Sequence, residues 1–333
     1  MKKICIVSSC YNEAENIEEL YDEILKQIAP LDRYEWEMLF EDNCSTDNTA
    51  EILRSIAAKD KRVKVILNMS NYGPDRSGAN AIFSARADAI IPMASDLEDP
   101  PSMIPKFVEA WEQGYLVAMG QYITRKDKPL LQFCRRAYYS IMDELTDVKV
   151  ESNVTGFGIY DISVIDRIRK LGEYNIVLRF LCSELGYKIK YIPFEKPKRK
   201  AGKSSYSLIK YYNYAVETLV LTSHAPLHLA STIGFFISLC SIVAGIVYLI
   251  LKIKSWYDFD AGTAPIIIGM FFLGGIQLFF IGVIGEYLSS GIKRVTKRPL
   301  VIEKERINFE DYGKPGKPEN ASDETTKDGA SAR

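Results

Sequence analysis

Short apolar runs rich in β-branched residues recur through the first part of the chain, at Ile4–Val7, Met38–Phe40, Val63–Leu67, Ala89–Met93 and Leu116–Met119. Helical stretches separate them, among them Glu15–Ile28, Thr49–Ala58 and Met103–Gln113. Strands alternating with helices in this way predict βαβ units, a mostly parallel sheet with helices on both faces. In such open sheets ligands bind beyond the carboxyl ends of the strands. Those ends are where the polar clusters fall: SSCYNEAEN after the first run, EDNCSTDNT after the second, SNYGPDRSG after the third and SDLEDPP after the fourth. The four ends are expected to converge on one pocket.

Later in the chain the pattern changes. Leu229–Leu251 and Ala264–Ile284 contain no charged residue, and each has the length of roughly 20 residues that crosses a bilayer. They predict a transmembrane hairpin. The stretch after the second segment carries Lys293, Arg294, Lys297, Arg298, Lys304 and Arg306, against Lys252 and Lys254 in the connecting loop. Lys/Arg-rich flanks stay cytoplasmic, so both termini are expected in the cytosol, on the inner (plasma) membrane. The apolar stretch in MKKICIVSS is too short for a signal peptide. The expected organisation is a cytosolic domain (1–206), an interfacial amphipathic region (207–228), two spans within 229–288 (about 229–251 and 264–285), a cytosolic basic segment (289–307) and a polar tail (308–333) that reads as disordered.

Composition narrows the chemistry. A formal net charge of -1 gives no reason to expect nucleic acid as a partner. The six cysteines show no metal-ligand spacing and read as reduced thiols. His224 and His228, four apart, lack further ligands nearby and read as interfacial polar residues rather than a zinc site.

Asn12 and Glu13 suit the start of a helix, and Ser45, Thr46 and Asp47 suit the cap of another. Asp96 is harder to absorb in that way, because it follows a buried strand and Ser102 is available to cap the helix behind the prolines. Carboxylates at alternate positions of an extended segment point the same way, so Asp96 and Glu98 suit one hard divalent cation between them.

CYNEAENI, EDNCSTDNT, SDLEDPP, RKAGKSSYSL, APLHLA and IGEYL, in this order across about residues 3–306, resemble the family-2 glycosyltransferases that act on polyisoprenyl phosphates, such as bactoprenol-phosphate glucosyltransferases and dolichol-phosphate mannose synthases. The resemblance implies a GT-A fold, with Tyr11, Glu13 and Asp42 around the nucleoside and the Asp96 segment supplying metal ligands, Mg2+ or Mn2+, to the diphosphate. It implies Arg199 and Ser204 closing over that diphosphate, Asp96 and Arg199 carrying catalysis, and Arg125, Arg136 and Ser140 binding the acceptor phosphate. Arg136 and Ser140, four apart on a predicted helix, share a face, and an arginine fork suits phosphate. The run KPKRKAGKSSYS also suits attraction to anionic lipid.

Two motifs depart from the family pattern. Where members read Asp-x-Asp-x-Gln, this chain has Ala94, Asp96 and Glu98; where they place Asp and Arg around a Phe, it has Gly156 and Gly158. A lipid monophosphate, with a second pKa near 6, is mostly dianionic at pH 7 and has no proton that a base must remove. The glycines suit either a plain turn or room for the sugar or lipid head. The expected activity is hexose transfer from a UDP- or GDP-sugar to an undecaprenyl-type phosphate on the cytosolic leaflet, inverting and metal-dependent. The alternatives are a transferase to another membrane acceptor and a catalytically silent nucleotide-sugar-binding scaffold. Expected partners are the nucleotide sugar, the polyprenyl phosphate and the membrane, with a homo-oligomer and a lipid-glycan flippase as further candidates.

Overall fold

The computed structural model describes residues 1–123, 151, 153–172, 176–195, 197, 225–254, 263–295 and 299–309. Its centre is one sheet of eight strands: β1 (Lys3–Cys10), β2 (Glu35–Asp42), β3 (Val63–Asn68), β4 (Ala89–Pro92), β5 (Val117–Tyr122), β6 (Val154–Asp161), β7 (Ile189–Phe194) and β8 (Glu303–Ile307). They lie in the order β7-β5-β6-β4-β1-β2-β3-β8. β1 runs parallel to β2 and β4, β2 to β3, and β5 to β7. The pairings of β6 with β4 and β5, and of β8 with β3, are antiparallel.

The helices are α1 (Ile17–Ile28), α2 (Thr49–Lys59), α3 (Pro74–Ser84), α4 (Ile104–Glu112), α5 (Ile162–Leu171), α6 (Leu178–Glu184), α7 (Ala225–Lys254) and α8 (Thr263–Val295). Strand side chains alternate between the two faces of the sheet. Ile4, Ile6, Met38, Phe40 and Val65 therefore meet α1, α2 and α4 on one side, while Cys5, Val7, Leu39 and Ile66 meet α3, α5 and α6 on the other. With both faces covered, the strands read as apolar runs rather than as alternating patterns, and β3 is buried at every position. On α1 the buried residues are Ile17, Leu20, Ile24 and Ile28, one stripe of a 3.6-residue period. Each such side chain contributes about 1.5–3 kcal/mol by leaving water, so Leu20→Ala is the change that would open this layer. The fold class is the expected one, a mostly parallel α/β sheet of GT-A type.

Ser102 does not cap α4. It lies in a 3-10 turn, Pro101–Met103, and α4 begins behind Met103 without a side-chain cap. Prolines at 100, 101 and 105 fix the entry of the chain instead, since proline sets its own φ and suits a first helical turn. A further difference lies in the segment expected to be merely basic: Glu303–Ile307 is an edge strand of the sheet.

α7 and α8 expose large apolar side chains along their length, among them Phe235, Ile246, Ile250, Phe272, Leu278 and Ile284. Phe272–Ser289 of α8 is long and apolar enough to cross a membrane, and none of it is buried. The interfacial region at 207–224 and the tail from 310 onward lie outside the described residues, as do Arg125, Arg136, Ser140, Arg199, Ser204, His224 and Cys134.

Candidate active site

The loops at the carboxyl ends of β1, β2, β3 and β4 are tied to one another by side-chain hydrogen bonds. Asn12, in the left-handed region at φ 57, donates its backbone N–H to Ser45 Oγ at 2.9 Å, and its Oδ1 accepts from the Thr46 N–H at 2.8 Å. Asp47 Oδ2 accepts from the Ala14 N–H at 3.2 Å while its Oδ1 accepts from the Thr49 N–H at 3.0 Å. The residues that read as helix caps thus also lace the β1 loop to the β2 loop. Asn43 Nδ2 donates to Asn71 Oδ1 at 3.0 Å and Asn43 Oδ1 accepts from the Tyr72 N–H at 2.9 Å, which joins the β2 loop to the β3 loop. Ser95 Oγ donates to the Ser9 carbonyl at 3.3 Å, joining β4 to β1.

Within this frame Glu13 is buried and its Oε2 accepts from Asn16 Nδ2 at 2.5 Å. Tyr11 is exposed on the rim. Asp42 is buried at the end of β2, and its Oδ2 accepts from the Ser45 N–H at 3.1 Å. Its Oδ1 has no hydrogen-bond partner among the described residues. Burial pushes the Asp42 carboxyl above its ordinary range, against the hydrogen bonds from Ser45. A buried acceptor left unfilled costs about 1–3 kcal/mol, which suits a donor group arriving with a ligand.

From Ile91 to Pro100 burial alternates residue by residue, so Asp96 and Glu98 stand on the half-exposed side while Ser95, Leu97 and Asp99 point inward. Leu97 takes a left-handed φ of 61 and the Glu98 N–H donates to Asp96 Oδ1 at 3.1 Å. Asp99 Oδ2 accepts from the Ala94 N–H at 2.9 Å and so closes the loop from within. The loop opens onto a cleft of about 450 Å³ whose walls come from β1, α3, β4, β6 and α6. Ser9, Asp75, Asp99, Thr155 and Arg179 are its polar lining. Arg179 escaped the sequence reading, although it is a lone charge inside the otherwise apolar run Ile176–Cys182, and that is the signal that marks it.

A family model described as glycosyl transferase family 2 matches residues 5–169. The chain is 30% identical over 304 residues to an uncharacterized glycosyltransferase of Synechocystis sp., a match that covers 90% of this chain and 94% of the relative. It belongs to glycosyl transferase family 2. The transferase is also 29% identical to the bactoprenol glucosyl transferase of Shigella phage SfII, over 91% of this chain and 97% of that one. A prophage bactoprenol glucosyl transferase homolog of Escherichia coli matches at 28%, over 91% and 98% of the two chains.

The transferase's acidic pair fits a divalent cation as an open site. Asp96 and Glu98 offer hard oxygen donors from one half-exposed side of the loop, and among the described residues no group of three or more His, Cys, Asp or Glu side chains forms a closed cage. Magnesium-type sites that serve phosphate chemistry commonly take one or two carboxylates and leave the remaining positions to substrate phosphates and water.

The two glycines are set by β6 itself. Gly156 has φ +96 and its carbonyl accepts from Tyr160 Oη at 2.7 Å. It lies where β6 bulges, since Gln121 pairs with Val154 and Met119 with Gly158. A Cβ on Gly158 would sit 2.1 Å from the Ala118 carbonyl oxygen of β5. Gly158 is therefore required by the close approach of two strands, and Gly156 by a turn that leaves the cleft open beside it.

Proposed function

We propose that the transferase moves a hexose from a UDP- or GDP-sugar onto an undecaprenyl-type phosphate at the cytosolic face of a membrane, with inversion at the anomeric carbon. The observation that carries this reading is the set of four interlocked strand ends, which bears a buried, unfilled acceptor at Asp42 Oδ1 and, on the loop after β4, a half-exposed acidic pair at Asp96 and Glu98. The bactoprenol glucosyl transferases to which the chain is similar along nearly their whole length support the acceptor class.

In the reaction an oxygen of the acceptor phosphate bonds to the anomeric carbon as the bond from that carbon to the diphosphate breaks. The nucleoside diphosphate leaves with the electron pair. The dianionic acceptor brings no proton that has to be removed, so a glycine at 156, where the resemblance implies an acid, leaves the proposed reaction without need of a base. Asp42 holds the nucleoside, and Arg199 and Ser204, with Arg125, Arg136 and Ser140, are the proposed contacts to the two phosphate groups. A Mg2+ or Mn2+ ion held by Asp96 and Glu98 would supply neutralisation of the charge that develops on the diphosphate.

The membrane side of the proposal is a hairpin formed by α7 and α8. The chain leaves the sheet before α7 and returns to it as β8, so any crossings in between must be even in number, as the two proposed spans would be. Incubation of the purified protein with undecaprenyl phosphate, Mn2+ and a panel of UDP- and GDP-sugars should give one glycolipid by mass spectrometry. Binding of a nucleotide sugar with no glycolipid from any donor would leave a silent scaffold instead. Asp96→Asn should abolish the EDTA-sensitive turnover and also weaken Mn2+ binding, read by electron paramagnetic resonance in the presence of UDP or GDP. Unchanged Mn2+ binding would remove Asp96 from the ligand set.

A further inference from the structure

Ser9 and Glu41 are neighbours across β1 and β2, paired in register and directed to the face of the sheet that α3 covers. Ser9 is half-buried and lines the 450 Å³ cleft, whereas Glu41 and Ser77 of α3 are fully buried behind it. The Ser77 hydroxyl joins the two: its Oγ lies 2.7 Å from Ser9 Oγ, and it donates to the Glu41 carboxylate.

A hydroxyl has one hydrogen to give. With that of Ser77 given to Glu41, the hydrogen between the two serines comes from Ser9. An ionised Glu41 therefore sets the direction of both bonds and leaves Ser9 with only lone pairs to offer the cleft. Such a position receives an O–H or N–H of a ligand and repels an oxygen that can only accept. A neutral Glu41 reverses the order. Asn68 and Asn80 both bring N–H groups to its carboxyl, so the O–H it acquires from water turns to Ser77 Oγ, Ser77 donates to Ser9, and the Ser9 hydrogen is released to the cleft.

Burial pushes the Glu41 carboxyl up to about 7, against its hydrogen bonds, and the charge of Glu303 acts in the same direction as burial. The other charged groups on the elements around it are held elsewhere. Glu303 and Arg306 of β8 are paired with each other, Arg76 of α3 donates to the Pro299 carbonyl, Asp75 of α3 lines the cleft, and Lys64 of β3 is paired with Glu37. Asp42 follows Glu41 on the opposite face of β2, and burial holds the Cys10 thiol of β1 well above its ordinary range.

On the reading of the protein as a nucleotide-sugar transferase, we propose that Glu41 is a positioning residue: ionised, it acts through Ser77 to hold Ser9 as an acceptor for an O–H or N–H of the bound sugar nucleotide, and protonated, it withdraws that acceptor. Calorimetry on the full-length protein with a panel of UDP- and GDP-sugars tests this. From pH 8 to pH 6 the Kd of the preferred sugar nucleotide should rise about 2- to 12-fold, the range of one net hydrogen bond. Ser77→Ala breaks the relay and keeps the carboxyl, so its Kd should not follow pH. Infrared spectra of the carbonyl stretch of a protonated carboxyl, a band that Glu41→Gln lacks, should still titrate in Ser77→Ala, at higher pH because the carboxylate has lost a donor. Ser9→Ala should flatten the binding profile and leave the infrared titration near its wild-type place. Cooperative thermal unfolding by circular dichroism shows that each variant is folded. A wild-type Kd that does not change between pH 8 and pH 6 would overturn the assignment, as would a Ser77→Ala protein that keeps the wild-type pH dependence or an infrared titration absent from that range. If the wild type bound no sugar nucleotide at any pH while the infrared titration ran as expected, the transferase reading would fall and the role given to Ser9 with it.

Discussion

Glu41 is fully buried one residue before Asp42, with a carboxylate bracketed by amides. Asn68 Nδ2 donates to Oε1 at 2.7 Å, and Asn80 Nδ2 donates to Oε2 at 2.9 Å and to Glu303 Oε1 of β8 at 3.1 Å. Burial raises its pKa from 4.5 to about 7, against the hydrogen bonds from Asn68, Asn80 and Ser77 and with help from the charge of Glu303. Between pH 4.5 and about 7 the folded state therefore binds more protons at this site than the unfolded chain does. Stability then falls as pH rises through that window, by on the order of 3 kcal/mol from this group alone. Carboxylates with lowered pKa, such as Asp60 and Glu303, act in the opposite sense at lower pH, so only a difference between proteins isolates Glu41. Glu41→Gln, which keeps the shape and removes the titration, should gain stability relative to wild type as pH rises from 5 to 8. Unfolding followed by circular dichroism in detergent reads this, and parallel profiles for the two proteins would show that Glu41 is not the titrating group.

At the scale of elements, the β5–β6 pair explains why restoring the family residues should not restore a family enzyme. Gly156→Asp forces an L side chain to φ +96, a strain of about 1–3 kcal/mol. Gly158→Arg drives a Cβ into the Ala118 carbonyl, which separates the two strands rather than adding a cation to the cleft. The double variant should unfold earlier than wild type and show no gain in transfer rate. A stable double variant with a rate a hundredfold higher, the scale of general-base catalysis, would mean that the chain lacks a base it needs. The elements that were legible in the sequence are those that bury a continuous apolar run or a regular apolar stripe: β1 to β5, α1, α2 and α4. α3 was not, because PDRSGANAIFS opens with proline, glycine and polar residues and buries small ones, Ser77, Ala79 and Ala81. β8, EKERI, is an edge strand with four charged residues and only intermediate burial on its inward side, a composition that reads as solvent-facing. Charged edges guard a sheet against further pairing, and the same property hides them from pattern reading. The strand-end clusters were legible because each places hydrogen-bonding side chains where a buried strand stops, whereas Arg179 owes its place to the fold of β6 and α6 around it.

For the whole molecule, β8 is a second tether between the sheet and the apolar helices. After α8 the Arg76 Nη2 donates to the Pro299 carbonyl at 2.9 Å and the Met69 N–H to the Ile302 carbonyl at 2.9 Å, before β8 pairs with β3. The clamp has two kinds of contact of unequal worth. Arg54 meets Glu305 through two hydrogen bonds at 2.8 and 2.6 Å, but both side chains are 41% exposed, and exposed ion pairs contribute about 0.2–1 kcal/mol. Asn308, at φ 63, donates Nδ2 to the Ala57 carbonyl at 2.7 Å and to the Val63 carbonyl at 2.8 Å. Those carbonyls lie at the end of α2 and the start of β3, and losing their donor costs about 1–3 kcal/mol. Asparagine also tolerates the left-handed conformation better than most residues. Asn308→Ala should therefore release β8 more than Glu305→Gln does. In hydrogen exchange on the detergent-solubilised protein, amides of β3 and β8 should lose protection in Asn308→Ala by roughly 5- to 150-fold, the Boltzmann factor of that cost, while β1 and β4 keep theirs. If Glu305→Gln opened the edge as much as Asn308→Ala, the surface ion pair rather than the asparagine cap would be what fastens the catalytic sheet to the chain returning from α8.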